Sequence, residues 1–158
     1  MISRLLISLF ISLLLGNRQT TSQTIVTVNV SESIVYVERN IIVPIWVTVK
    51  EGYHIQANKV DDENLIPTKL EIKNDTITIN KQEFPASKKF KLEGTGTFLQ
   101  VYDGRFQVRL FLSPESKAVE GKYILKASLR YQACDSNSCL FPRVVDFSIP
   151  IEVKKTDR

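Results

Sequence analysis

Tyr131-Gln132-Ala133-Cys134-Asp135-Ser136-Asn137-Ser138-Cys139-Leu140-Phe141-Pro142 is the stretch that decides how this chain is read. It holds the only two cysteines among 158 residues, with four polar residues between them. Asp, Ser and Asn side chains bond to their own backbone and tolerate tight turns, so the segment reads as a hairpin tip. Upstream, Tyr123, Leu125, Ala127, Leu129, Tyr131 and Ala133 alternate with Lys126, Ser128, Arg130 and Gln132. That is a half-buried strand with its odd positions inward. Cys134 falls on the even, polar face and is expected to look toward water.

Downstream, Val145, Phe147, Ile149, Ile151 and Val153 alternate with Asp146, Ser148 and Glu152, which makes a second strand. An uninterrupted antiparallel ladder with Cys134 opposite Cys139 would set Leu129 against Val144. That pairs an inward residue with an outward one, which the two-residue period of a strand forbids. The ladder must therefore slip or bulge between Leu140 and Arg143, where Pro142 has no amide hydrogen to give. A disulfide here would close a loop of about six residues. In the chain-entropy account that stabilises by about 2 kcal/mol, against about 4.7 kcal/mol for a loop of about 100 residues. Two readings stay open on the residues alone: a weak structural staple in an exported domain, or a pair that is meant to open.

Beyond this hairpin the chain reads as all-β. Thr24 to Val30 alternates, as does Ile41 to Val49, where Pro44 marks an edge or a bulge. Trp46 falls on the outer face, where packing under a neighbouring loop is expected. Further strands are expected at 53–57, 69–73, 76–79, 90–93, 97–102 and 105–112, and residues 114–121 have room for one helical turn. Many short strands separated by turn signals favour a sandwich or a barrel. Asp103-Gly104 is a strong hairpin signal, and alternation points Tyr102 away from the core at its tip.

Met1 to Leu15 carries one charge, Arg4, and an eleven-residue apolar run, which is short for a bilayer span of about 20 residues and suits an export signal. The expected organisation is a signal peptide over 1–22 and one domain over 24–155. Without the leader, 19 basic side chains stand against 17 acidic ones, so nothing points to nucleic acid or an anionic membrane. Two cysteines and the sole histidine, His54, do not make a closed zinc site, and neither metal nor cofactor is expected. Lys88-Lys89-Phe90-Lys91 reads as a solvated strand face.

The cysteine hairpin resembles the active-site hairpin of the N-terminal periplasmic domain of DsbD-type thiol:disulfide interchange proteins. The likeness runs from about Val28 to Val153, and its best other matches are Gly52-Tyr53-His54-Ile55 and Tyr102-Asp103-Gly104-Arg105. Two departures stand out: four residues between the cysteines where the best-known members have five, and one proline after them, preceded by Phe141, where those have two. The resemblance implies an immunoglobulin-like antiparallel β-sandwich and electron transfer through a reversible Cys134–Cys139 pair. It implies that Cys139 joins the partner and Cys134 resolves, with Tyr102 as an aromatic cap and Tyr53, His54 and Tyr131 lining the site.

Thiol–disulfide exchange runs through attack by a thiolate, a mixed disulfide and its resolution. Related domains are usually fused to a membrane electron carrier and a thioredoxin-like domain, neither of which this sequence carries. The expected partners are thus a separate membrane thiol electron carrier and thioredoxin-fold proteins of the periplasm. The competing reading is a non-enzymatic immunoglobulin-like binding or assembly module with a static disulfide.

Overall fold

A computed structural model describes residues 24–74 and 77–155; the leader expected over 1–22 lies outside the described residues. Among the described residues all regular structure is strand, arranged in three four-stranded sheets. The first sheet has the order β1 (Val26–Val30), β3 (Ile41–Val49), β9 (Arg105–Pro114), β6 (Ile77–Glu83). The second runs β2 (Ser33–Tyr36), β12 (Arg143–Lys154), β10 (Gly121–Tyr131), β5 (Lys69–Lys73). The third runs β11 (Ala133–Cys134), β4 (His54–Gln56), β8 (Phe98–Tyr102), β7 (Lys88–Lys91).

The alternation read from the sequence is what drives the first two sheets together. Val43, Ile45, Val47, Leu110 and Leu112 come from one face, and Leu125, Leu129, Ile149 and Ile151 from the other; all are buried in one core. At about 1.5–3 kcal/mol for each fully buried aliphatic side chain, burial in this core is the main favourable contribution that draws the two sheets together. Immunoglobulin-like sandwich is therefore the right description of the fold, with some pairings the alternation did not announce. Strand β2 lies parallel to the end of β12, matching Ser33 to Ile151 and Tyr36 to Lys154. Four residues are too few for a two-residue period to stand out.

Pro44 sits one residue past the end of the β1 ladder, which stops at the Val30–Ile45 pair, so β3 is paired on one side only there. Trp46 is half-buried on the outer face, and the Arg105 guanidinium lies 4.3 Å from its ring centre.

Two expectations at Asp103-Gly104 are corrected. The turn is no hairpin, because β8 pairs with β4 and β7 while β9 pairs with β3 and β6. It is a corner that carries the chain from the third sheet to the first. Gly104 takes a φ of 58°, and its carbonyl accepts a 2.8 Å hydrogen bond from the Val49 amide. Tyr102 accordingly points inward. It is 3% exposed and packs against Phe106 at 4.8 Å and Phe84 at 6.1 Å between ring centres; its hydroxyl donates to Asn58 Oδ1. A change of sheet after Tyr102 reverses the face that simple alternation assigns to it.

One strand supplies a paired test of the core. Leu129→Ala, at 1% exposure and opposite both Leu70 and Val145, is expected to cost about 2–5 kcal/mol in a urea unfolding titration. Ile124→Ala, at 69% exposure on the same strand, is expected to stay within about 0.5 kcal/mol.

Candidate functional site

Strand β10 pairs with β12 in a regular register from Gly121–Val153 to Tyr131–Arg143. Beyond it an isolated bridge joins Cys134 to Cys139. The first register sums to 274 and the bridge to 273, so Gln132 and Ala133 stand against three residues, Leu140, Phe141 and Pro142. This is the slip that the two-residue period requires. The Leu140 amide donates to the Ala133 carbonyl at 2.7 Å, and Gln132 Nε2 donates to the Leu140 carbonyl at 3.2 Å. Gln132 Oε1 accepts from the Ile66 amide at 2.9 Å, which ties the bulge to the 65–68 loop. The Phe141 side chain is thrown outward at 92% exposure.

Cys134 and Cys139 form a disulfide across this irregular end of the sandwich. The loop between them is closed by Asp135. Its Oδ1 accepts the amides of Asn137 and Ser138, each at 2.8 Å, while its own amide donates to the Ser138 carbonyl at 2.9 Å. Those amide bonds, that of Asn137 first, hold the Asp135 carboxyl below the usual aspartate range.

The expectation that Cys134 faces water is corrected: it is fully buried, whereas Cys139 is partly exposed. The chain leaves the second sheet after Tyr131 and joins the third, where Cys134 lies opposite His54. There the even face meets apolar side chains from β7 and β8 of the same sheet. Leu99 and Val101 pack on Cys134, with Leu65, Phe90, Leu92 and Cys139 around them.

Strand β4 completes the site. Ile55 turns into the main core, so His54 and Gln56, two residues apart, share the face toward the disulfide. Gln56 Nε2 donates to Cys134 Sγ at 3.3 Å and to Cys139 Sγ at 3.7 Å. The His54 ring lies 3.8 Å from the Phe90 ring. Gln56 and Phe90 were both missed in the sequence. The signals were present: Gln56 repeats the phase of His54, and Phe90 is the one apolar residue interrupting Lys88, Lys89 and Lys91.

The residues singled out in advance divide. His54 stands beside Cys134 in the ladder. Tyr53 lines an open cleft of about 550 Å³ together with His54, Phe90, Asp103 and Ser136. Tyr102 and Tyr131 belong to the main core, and Tyr102 is not among the side chains packed on Cys134. The loop between β7 and β8 reaches the disulfide loop instead, through a 3.0 Å hydrogen bond from the Glu93 amide to the Ser136 carbonyl.

Burial lowers the His54 pKa from 6.5, opposed by the charges of Asp103 and Asp135. Between its folded pKa and 6.5 the unfolded chain therefore binds more protons than the folded one, and stability rises with pH. Wild-type protein is expected to lose urea stability between pH 7.5 and pH 5.5, and His54→Phe to lose less over the same interval.

The chain is similar to several known proteins. The N-terminal periplasmic domain of ScsB from Proteus mirabilis superposes with a TM-score of 0.52 at 14% identity. The match covers 79% of this chain and 44% of that one, so the chain spans less than half of the solved ScsB fragment. The Neisseria meningitidis DsbD N-terminal domain in its reduced form aligns with a TM-score of 0.43 at 21% identity, over 68% of this chain and 74% of that one. No curated protein matches the chain. The family model described as "Thiol:disulfide interchange protein DsbD, N-terminal" matches residues 28–150, a stretch that contains both cysteines, His54 and Gln56. The chain belongs to the DsbD N-terminal domain family.

Proposed function

We propose that this protein is an exported thiol–disulfide interchange domain that passes electrons through the Cys134–Cys139 pair. The observation that carries the reading is the asymmetry of the pair. One sulfur is sealed under Leu99 and Val101, and the other is partly exposed, in a short turn outside the main core. A partner thiolate reaches Cys139, forms a mixed disulfide with it, and releases Cys134 as the leaving sulfur. In the opposite direction Cys134 attacks Cys139 and frees the partner. Cys139 is thus the sulfur that joins the partner and Cys134 the resolving one.

The partners that fit are thiol proteins with an accessible redox pair: a membrane thiol electron carrier on one side and thioredoxin-fold proteins on the other. Family membership and the periplasmic location stated for the ScsB domain support a place in the periplasm. Around the pair, Phe90 and the 92–97 loop serve as cover in place of Tyr102. The ring lies over His54, and the loop is fastened to the cysteine turn by the Glu93–Ser136 hydrogen bond.

A static staple and a working pair differ in what reduction does. The bond closes about six residues and is worth about 2 kcal/mol, while domains are typically stable by about 5–15 kcal/mol. Equilibration in glutathione buffers should therefore reduce the pair at a potential above about −300 mV, with the thermal transition still cooperative. A potential well below about −300 mV, with unfolding on reduction, would make this a binding or assembly module instead.

A further inference from the structure

Among the described residues two buried side-chain polar atoms have no hydrogen-bond partner, His54 Nε2 and Gln56 Oε1. Both belong to the face of β4 that looks at the disulfide. Gln56 is fully buried, yet an ordinary core would hold an apolar residue here and avoid the cost of an unpaired carbonyl. Its placement is firmly set. The Gln56 amide donates to the Gln132 carbonyl at 3.0 Å, and the Gln56 carbonyl accepts the Thr68 hydroxyl. On the next residue, the Ala57 amide donates to the Gln100 carbonyl at 2.7 Å. A backbone held on both sides sends the side chain to one place, and that place is the S–S bond.

We infer that Gln56 is a catalytic residue of the exchange, stabilising the thiolate of Cys134 as it leaves. The inference rests on the redox reading of the pair and deepens it. In the reducing direction a partner thiolate attacks Cys139 Sγ. A new S–S bond forms between partner and Cys139, the Cys134–Cys139 bond breaks, and its electron pair stays on Cys134 Sγ. The partner's second thiolate then attacks the first, which closes the partner's disulfide and expels Cys139 as a thiolate. One protein dithiol is oxidised, one disulfide is reduced, and the protons the partner gives up are available to the two new thiolates.

The difficult moment is the first bond cleavage. Charge grows on a sulfur buried among Leu99, Val101, Leu65 and Phe90, where an unpaired anion is strongly disfavoured. The nearest carboxylate in sequence, Asp135, makes it worse. The N–H donor already aimed at that sulfur is Gln56 Nε2, at 3.3 Å. A disulfide sulfur is a weak acceptor and a thiolate a strong one, so this hydrogen bond strengthens as the bond breaks. The same amide spans to Cys139 Sγ at 3.7 Å and so follows the charge between the two sulfurs in either direction of transfer. The unpaired Oε1 has a use as well, because a protonated Cys134 thiol can donate to it once the disulfide is open. An amide presents a donor and an acceptor together, and this fits a sulfur that alternates between anion and thiol.

The test compares wild type, Gln56→Met and Gln56→Glu in their reaction with dithiothreitol, followed by acid quenching, thiol alkylation and mass measurement. Gln56→Met keeps the volume and removes the donor. It is expected to slow reduction about tenfold, the worth of one charge-assisted hydrogen bond, while the thermal midpoint of the oxidised protein stays equal or rises. A packing role would instead lower the midpoint, so the combination of slower and no less stable is specific to the chemistry. Gln56→Glu is expected to be slower still above neutral pH, where a carboxylate would face the departing thiolate. It provides the same comparison if Gln56→Met does not fold. Rates within twofold of wild type in the folded variants would overturn the inference and leave the redox function standing. A wild-type disulfide that resists dithiothreitol until the domain unfolds would instead remove the redox reading on which the inference rests.

Discussion

A one-residue mismatch between two ladders governs this end of the molecule. Strands β10 and β12 bury their odd positions, and the core admits no other register. The disulfide bridge asks for a register one residue different. The chain settles the conflict with three residues against two, and the features of the site follow. Sheet pairing ends at Tyr131–Arg143, Phe141 is expelled, and Gln132 is recruited to hold the free Leu140 carbonyl. The strand that has left the second sheet then pairs with β4. That new pairing brings Cys134 to His54 and Gln56.

Energetics and chemistry are separated by this arrangement. The large buried aliphatic side chains lie between the first two sheets, and the disulfide belongs to a small satellite cluster under the third. On the redox reading, opening the bond would leave the contacts of the main core in place. The satellite still has structure of its own: the Asp135 turn, the Glu93–Ser136 link and the Phe90 ring over His54 keep the sulfurs in a defined setting. On the redox reading, a pair that opens and closes repeatedly needs that setting to outlast its own bond.

The sandwich was legible because alternation is a long-range signal. Nine consecutive residues from Ile41 to Val49 leave no doubt about which face is inward. Even the bulge could be deduced, since both flanking strands had clear phases and the cysteines fixed a third point. What failed was any inference that carried a strand's phase past a change of sheet. Cys134 lies beyond the point where the chain leaves β12 for β4, and Tyr102 lies at the corner where it passes from β8 to β9. Both residues belong to the third sheet, whose strands of two to five residues are too short to declare themselves: Cys134 packs with Leu99 and Val101, and Tyr102 turns into the main core. Gln56 was hidden for a related reason: a lone glutamine in a three-residue strand resembles any edge residue until its sulfur neighbours are known.

The central claim is that exchange enters through Cys139 while Cys134 is shielded behind it. Single-cysteine variants test this directly. Cys134→Ala and Cys139→Ala, each otherwise wild type and checked for a cooperative thermal transition, are incubated with glutathione disulfide, and the protein–glutathione adduct is followed by mass. The account predicts rapid adduct formation at Cys139 in the first variant and adduct formation slower by at least about tenfold at Cys134 in the second. Equal rates, or faster reaction at Cys134, would contradict it.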